Sequence, residues 1–228
     1  MENIVLVDKP LGITSFGVVA RMRRILNVKK IGHAGTLDPL ATGLMILGVG
    51  PGTKKLTELV KLDKEYIAEI RVGEKRSTGD LEGEIVEEKN VTEFADTTAR
   101  DILQDMVGIL TLPVSAYSAI KVDGVPMYKR ARKAEKTGVG VTDVPVRDMK
   151  VYEAELEGCY LAHTRAVVRV RFSVGSGTYI RSLAEEFGRR AGYPATLQYL
   201  RRTKVGEFRI EDAKTLETFA TETNTELF

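Results

Sequence analysis

Residues 32–43 read GHAGTLDPLATG, placing one histidine, His33, and one carboxylate, Asp38, among glycines, small side chains and a proline. No helical or strand period runs through the stretch, so a loop is expected there. Pro39 biases Asp38 toward extended backbone angles, and Gly35 and Gly43 let the chain pass close to another object. An ionised aspartate on such a loop could serve as nucleophile or base. Taken alone, Asp38 reads first as a turn residue bonding neighbouring amides. His33 alone reads as a turn or surface histidine; its functional reading is a flat ring that stacks on, or displaces, a nucleobase. An Asp–His pair would matter for nucleophilic catalysis only beside a serine or cysteine that spacing does not supply.

A second glycine-rich stretch, GVGPGTKK (48–55), resembles a phosphate loop but fails its pattern, because Thr53 separates Gly52 from Lys54. A nucleotide-phosphate enzyme is therefore disfavoured, and only a phosphate contact at the next helix start is left open. Cys159 is the single cysteine and His33 and His163 the two histidines, so neither a disulfide framework nor zinc-ligand spacing exists. Lone cysteine usage agrees with a reducing cytosol, no cationic apolar leader opens the chain, and no apolar run is long enough to span a bilayer.

The elements that must position these residues follow from period and punctuation. NIVLVDK (3–9) reads as a buried strand and TSFGVVARMRRILN (14–27) as a helix capped by Thr14 or Ser15, with Val18, Val19, Met22, Ile25 and Leu26 on one face. GLMILGVG (43–50) is expected to be a strand and TKKLTELVKL (53–62) a helix. KEYIAEIRVG (64–73) alternates, which puts Tyr66, Ala68, Ile70 and Val72 on one face of a strand; without other information Tyr66 is a core tyrosine. A turn and polar edge strand are expected in 78–89, a helix over 92–108, and a hairpin around Asp-Gly at 123–124. Strands follow at 145–157 and 164–174. GSGTYIRSLAEEFGRRAG (175–192) predicts a glycine turn and then a helix with Ile180, Leu183, Ala184 and Phe187 together. Residues 196–210 read as a short helix and then a strand, and 211–223 as a last short helix. The order is not a regular strand–helix alternation, so an α+β domain with a mixed sheet is expected in place of a doubly wound one.

The 228 residues carry 34 lysines and arginines against 32 acids, a net +2. The basic residues gather at 21–30, 128–136, 188–192 and 200–204, and the acidic ones at 79–89 and in the tail. Each basic cluster alone reads as a solvated helix face; four together point to a polyanion-binding face.

Five blocks, VDKPLGITS (7–15), KIGHAGTLDPLATGLMILGVGPGTK (30–54), YSAIKVDGVPMYKRAR (117–132), GSGTYIRSLAEEFG (175–188) and LRRTKVGEF (200–208), resemble in their order the TruB family of tRNA pseudouridine synthases. The resemblance runs from about residue 5 to residue 210. It implies the pseudouridine synthase fold, α+β, a mixed, mostly antiparallel sheet flanked by helices with a central RNA-binding cleft. It also implies a catalytic domain over 1–210 with a thumb-like insertion near 117–145, and a short helix and tail at 211–228 without a PUA domain. The implied activity is isomerisation of the T-loop uridine of tRNA, uridine-55, with no cofactor and no metal. By residue, the resemblance makes Asp38 the catalytic aspartate, Tyr66 the tyrosine that stacks on the target base and helps remove its C5 proton, and Arg181 the partner of the aspartate. Tyr179 and Leu200 become pocket residues, His33 the ring that fills the space vacated by the uridine, and Lys9 and Pro10 a mainly structural motif. Lys121, Lys129, Arg130, Arg132, Arg201 and Arg202 are the expected RNA contacts. A stand-alone cytoplasmic monomer acting on the T-arm stem-loop is expected, with no guide RNA and no membrane. The proline pair usual in the family before SAYSAIK is absent, Pro113 being displaced. The rival reading is a non-catalytic tRNA-binding or tRNA-folding protein, which would have no need of Asp38, Tyr66 and Arg181 together.

Overall fold

A computed structural model describes residues 3–225 except 116, 119, 123, 128, 132 and 134–143. Contacts group the chain into two units, residues 1–67 with 199–228, and residues 68–198. The chain leaves the first unit within strand β4 (Lys64–Val72) and returns to it within β12 (Ala195–Val205).

In the first unit β1 (Ile4–Lys9) runs antiparallel to β3 (Thr42–Val49), from Ile4 opposite Gly48 to Lys9 opposite Gly43. β2 (Ile31–His33) also pairs antiparallel with β3, whereas β12 joins β3 in parallel through Arg201–Thr42 and Arg202–Gly43. β3 lies between these neighbours, is almost wholly buried and does not alternate. Ala34, Leu44, Ile46 and Val205 form a core against which Ile4, Leu6 and Phe208 pack. Helix α1 (Ser15–Ile25) begins as its sequence predicts, with the Thr14 side chain accepting the Gly17 amide at 2.9 Å, and it buries Val18, Val19 and Met22.

In the second unit the strand order is β12, β4, β11 (Arg165–Val174), β10 (Val146–Ala162), β7 (Gly108–Pro113). The β10–β11 and β10–β7 pairs are antiparallel. Helix α3 (Asp96–Asp105) lies on β10 and against α4 (Ile180–Ala191), which buries Ile180, Leu183, Ala184 and Phe187 as its spacing predicts. Gly192, at φ +73°, ends α4 in the left-handed conformation that glycine adopts without strain. Two strands pair antiparallel on either side of positions 123–124, β8 (Lys121–Val122) and β9 (Val125–Pro126). None of the described helices is long and apolar enough to cross a membrane.

Three elements differ from expectation. Residues 195–205 form one long strand where a short helix was expected at its start; Thr196, Leu197 and Leu200 are buried, and the Leu197 amide bonds the Gly79 carbonyl at 2.9 Å. Sheet neighbours on this segment outweigh its local helical tendency. The helix expected over 53–62 is reduced to a 3-10 turn (Gly50–Lys55) and α2 (Leu56–Leu59). There Gly52 passes so close to Asn3 that a Cβ would lie 2.1 Å from the Asn3 carbonyl oxygen. Strand β7 occupies a segment that carries no clear strand period.

Candidate active site

The loop that carries Asp38 is irregular, as its composition implies, and Asp38 itself is half-buried. Three buried polar side chains of the first unit fix it. Ser15, at the first position of α1, donates its hydroxyl to the Leu37 carbonyl and accepts the Leu37 amide, each at 2.8 Å. Lys9, with no exposed surface, directs its ammonium to the carbonyls of Pro10 at 3.1 Å, Pro39 at 3.3 Å and Ala41. Arg202, 1% exposed, donates Nε to the Leu44 carbonyl at 2.7 Å and a terminal nitrogen to Gly35 at 3.3 Å. Backbone bonds complete the frame: Ala41 N–H donates to the Asp38 backbone carbonyl at 3.1 Å and closes a turn, and Gly12 N–H reaches the Pro39 carbonyl at 2.9 Å. Backbone carbonyls in a loop have no ladder to satisfy them, so buried cations and a hydroxyl do so here.

Gly43 shows why that loop must end in glycine. At φ +102° its hypothetical Cβ would stand 2.3 Å from the Arg202 carbonyl oxygen, the point at which β12 joins β3. Arg202 is thus buried where an RNA contact was expected of it, with Nε on the Leu44 carbonyl of β3 and a terminal nitrogen on the Gly35 carbonyl of the Asp38 loop. Arg201 forms a two-pronged ion pair with Asp8, at 2.7 and 3.1 Å, which fastens β12 to β1.

His33 closes β2 and is half-buried, with Nδ1 enclosed and without a hydrogen-bond partner. Burial pushes its pKa down; a Gly35 backbone contact opposes this and the charge of Arg202 adds to it. Burial thus favours the neutral ring. Tyr66 is 8% exposed on the buried face of β4, and Leu200 is 7% exposed.

In the second unit Arg181 is the second residue of α4 and is 6% exposed. Its guanidinium donates to the carbonyls of Thr78 at 3.0 Å and Tyr117 at 3.2 Å, and lies 3.7 Å from the carboxylate of Asp80. Asp80, 2% exposed, accepts from the Thr78 hydroxyl at 2.6 Å and the Glu82 amide at 3.1 Å. Tyr179 is the half-buried residue that precedes the first turn of α4. In the sequence Asp80 is masked by the acidic run that it opens; the Thr-Gly-Asp triplet 78–80, a turn signal with its own side-chain bonds, is its clue.

Of the remaining expected RNA contacts, Lys121 and Lys129 are exposed, Arg130 reaches back from the helical segment that follows the hairpin to bond the Val122 carbonyl at 2.7 Å, and Arg132 lies outside the described residues. The basic cluster 188–192 is internally matched, Glu186 bonding Arg189 at 2.7 and 2.8 Å and Arg190 at 2.7 Å. Among the described residues no group of three or more His, Cys, Asp or Glu side chains is placed to hold a metal ion.

Residues 23–180 match the model of the TruB family pseudouridylate synthases (N terminal domain). The chain belongs to the TruB family. It is 44% identical over 215 residues to the tRNA pseudouridine synthase B of Desulfotalea psychrophila, covering 93% of this chain and 85% of that one. Identity to the enzyme of the same name from Opitutus terrae is 42%, covering 95% and 86%. Among solved structures, a chain of the archaeal box H/ACA sRNP Nop10–Cbf5 complex superposes with a TM-score of 0.68 at 26% identity, over 97% of this TruB-family chain and 53% of that chain. This chain therefore spans about half the length of that structural neighbour. The likeness accords with the pseudouridine synthase fold and the mixed, mostly antiparallel sheet.

Proposed function

We propose that this TruB-family chain converts uridine to pseudouridine in tRNA, and that its target is the T-loop uridine, uridine-55. The reaction breaks the bond from N1 of the base to the ribose, turns the base, and forms a bond from C5 to the same ribose carbon. The C5 proton is lost and N1 gains one, so the product is an isomer and the balance calls for no oxidant or second substrate. A single ionised carboxylate suffices to open the sequence, by attacking sugar or base or by removing a sugar proton.

The observation that carries the reading is the fastening of the Asp38 loop. Three buried polar side chains from three separate segments bond its backbone, Lys9 at Ala41, Ser15 at Leu37 and Arg202 at Gly35, which is the construction a reactive group needs and a solvated turn does not. In this reading Arg181 pairs with Asp38 and keeps it charged in a water-poor pocket, Tyr66 stacks on the extruded base, and His33 fills the space it leaves. Tyr179 and Leu200 wall the pocket, and Lys121, Lys129 and Arg130 meet the stem phosphates. The names of the bacterial relatives support tRNA itself as the substrate, and we read the chain as acting without a guide RNA.

The test is incubation of the chain, with no other RNA present, with unmodified tRNA and with tRNA lacking the T-loop uridine, followed by mapping of pseudouridine. Product at the T loop from the parent chain and none from Asp38→Asn is the expected result. Product from Asp38→Asn, or none from the parent chain, overturns the reading.

A further inference from the structure

Two of the large apolar side chains most exposed in the structure, Leu11 at 67% and Phe16 at 66%, flank the turn from β1 into α1. Each is one residue from a tie to the Asp38 loop, Leu11 beside Gly12 with its bond to Pro39, and Phe16 beside Ser15 with its bonds to Leu37. Water-exposed apolar surface at the rim of a reactive loop calls for an explanation that a scattered surface phenylalanine would not.

Phe16 has a further feature. The guanidinium of Arg23, seven residues along the same helix, stands 5.8 Å from the centre of its ring, within the range of a cation–π contact. Arg23 is itself held: a terminal nitrogen donates to the Ile31 carbonyl at 2.9 Å on the strand that ends in His33, and its Nε is buried with no hydrogen-bond partner. The ring is therefore backed on one side by a fixed cation while two-thirds of the residue remains open. Arg21, Arg24, Lys29 and Lys30 are exposed on and just beyond the same helix. An aromatic platform backed by arginine, with further exposed cations on the same helix and just beyond it, is the chemistry that receives an unstacked nucleobase and the phosphates that follow it.

We propose that Phe16, braced by Arg23, is a stacking platform for an unpaired nucleobase beside the target nucleotide, with the Arg21, Arg24, Lys29 and Lys30 group meeting the adjoining phosphates. This assignment rests on the reading that the chain binds tRNA. It adds a binding surface on α1 that is separate from Tyr66 and the thumb-like hairpin. Opening a hairpin loop to extrude one base leaves its neighbours without stacking partners, and a platform next to the loop restores one. Platform and Asp38 loop share the ties through Ser15 and Gly12, so a base seated on Phe16 fixes the RNA relative to the reactive carboxylate.

The experiment uses T-arm stem-loops carrying 2-aminopurine at each loop position in turn, with binding followed by its fluorescence. For the parent chain, at least one position next to the target should be quenched on binding. Phe16→Ala should abolish that quenching and weaken binding roughly tenfold, the size of one base–aromatic stack. Phe16→Trp should restore both, and thermal unfolding should show all three proteins folded. Unchanged affinity and unchanged quenching in Phe16→Ala overturn the platform, as does equal loss in Phe16→Trp. Pseudouridine formation on the same stem-loop, measured in parallel, separates the two readings: Phe16-dependent quenching without product supports the platform while sinking the proposed activity, and product without Phe16 dependence does the reverse.

Discussion

The hydroxyl of Ser15 is bonded twice to the backbone of Leu37, donating to its carbonyl and accepting its amide at 2.8 Å each. Helix α1 thereby holds the residue immediately before Asp38, and a side chain that caps no helix end of its own becomes a positioning residue. Ser15→Ala leaves two buried backbone groups unpaired, which costs about 2 kcal/mol of stability. With Asp38 as the proposed reacting group, a displacement of about 1 Å there should reduce turnover by up to roughly a hundredfold. Urea unfolding should give the first loss and single-turnover assays the second, with RNA affinity nearly unchanged. Normal turnover in a destabilised Ser15→Ala would show the bond to be structural alone.

Lys9→Met tests the other side of the same loop. The ammonium is fully buried among the carbonyls of Pro10, Pro39 and Ala41, and a thioether of similar length satisfies none of them. Stability should fall by about 3 kcal/mol, more than for Ser15→Ala, because a charge-assisted cluster is lost. Arg would keep the charge but not the shape, so Lys9→Arg should also be destabilised. Equilibrium unfolding of the three proteins orders them, and a Met variant as stable as the parent would contradict the clamp.

Much of this architecture was legible in the sequence, where local period decides structure. The Tyr66, Ala68, Ile70, Val72 alternation, the Thr14 cap of α1 and the Ile180, Leu183, Ala184, Phe187 face of α4 each needed only their own segment. What stayed hidden depends on partners distant in the chain. Arg202 lies in a run of basic residues that reads as a solvated face, yet its acceptors, Leu44 and Gly35, are 158 and 167 residues away. Asp80 reads as one more acid in an acidic run until Thr78 and Arg181 are seen around it. Strand β12 looks helical at its start because its neighbours there, β4 and Asp80, are not adjacent in sequence.

Asp80→Asn isolates the charge beside Arg181. The amide keeps an oxygen for the Thr78 hydroxyl and the Glu82 amide, while the carboxylate 3.7 Å from the guanidinium is gone. Arg181 then depends on the Thr78 and Tyr117 carbonyls for its position. Removal of one partner from a buried pair is costly, so stability should drop by roughly 3 kcal/mol and turnover should fall with it. Arg181→Lys, which keeps charge but loses the fork, should reduce turnover at least as far. Denaturant titration and single-turnover rates check both, and parental rates in both variants would remove Arg181 from the reacting centre.

His33 makes the fold sensitive to acid. Burial, aided by Arg202, holds its pKa in the folded protein below the ordinary 6.5, against the opposing Gly35 contact. Between that lowered value and 6.5 the unfolded chain binds more protons than the folded one, so unfolding free energy falls as pH falls. The contribution is fully present above pH 6.5 and lost as the solution is acidified through the folded-state pKa. His33→Gln has no proton to gain and should lack this component. In thermal unfolding of the two proteins from pH 7.5 to pH 5 the parent should therefore lose more stability on acidification than the variant. Parallel curves across that range would mean that the imidazole takes up its proton as readily in the folded chain as in the unfolded one.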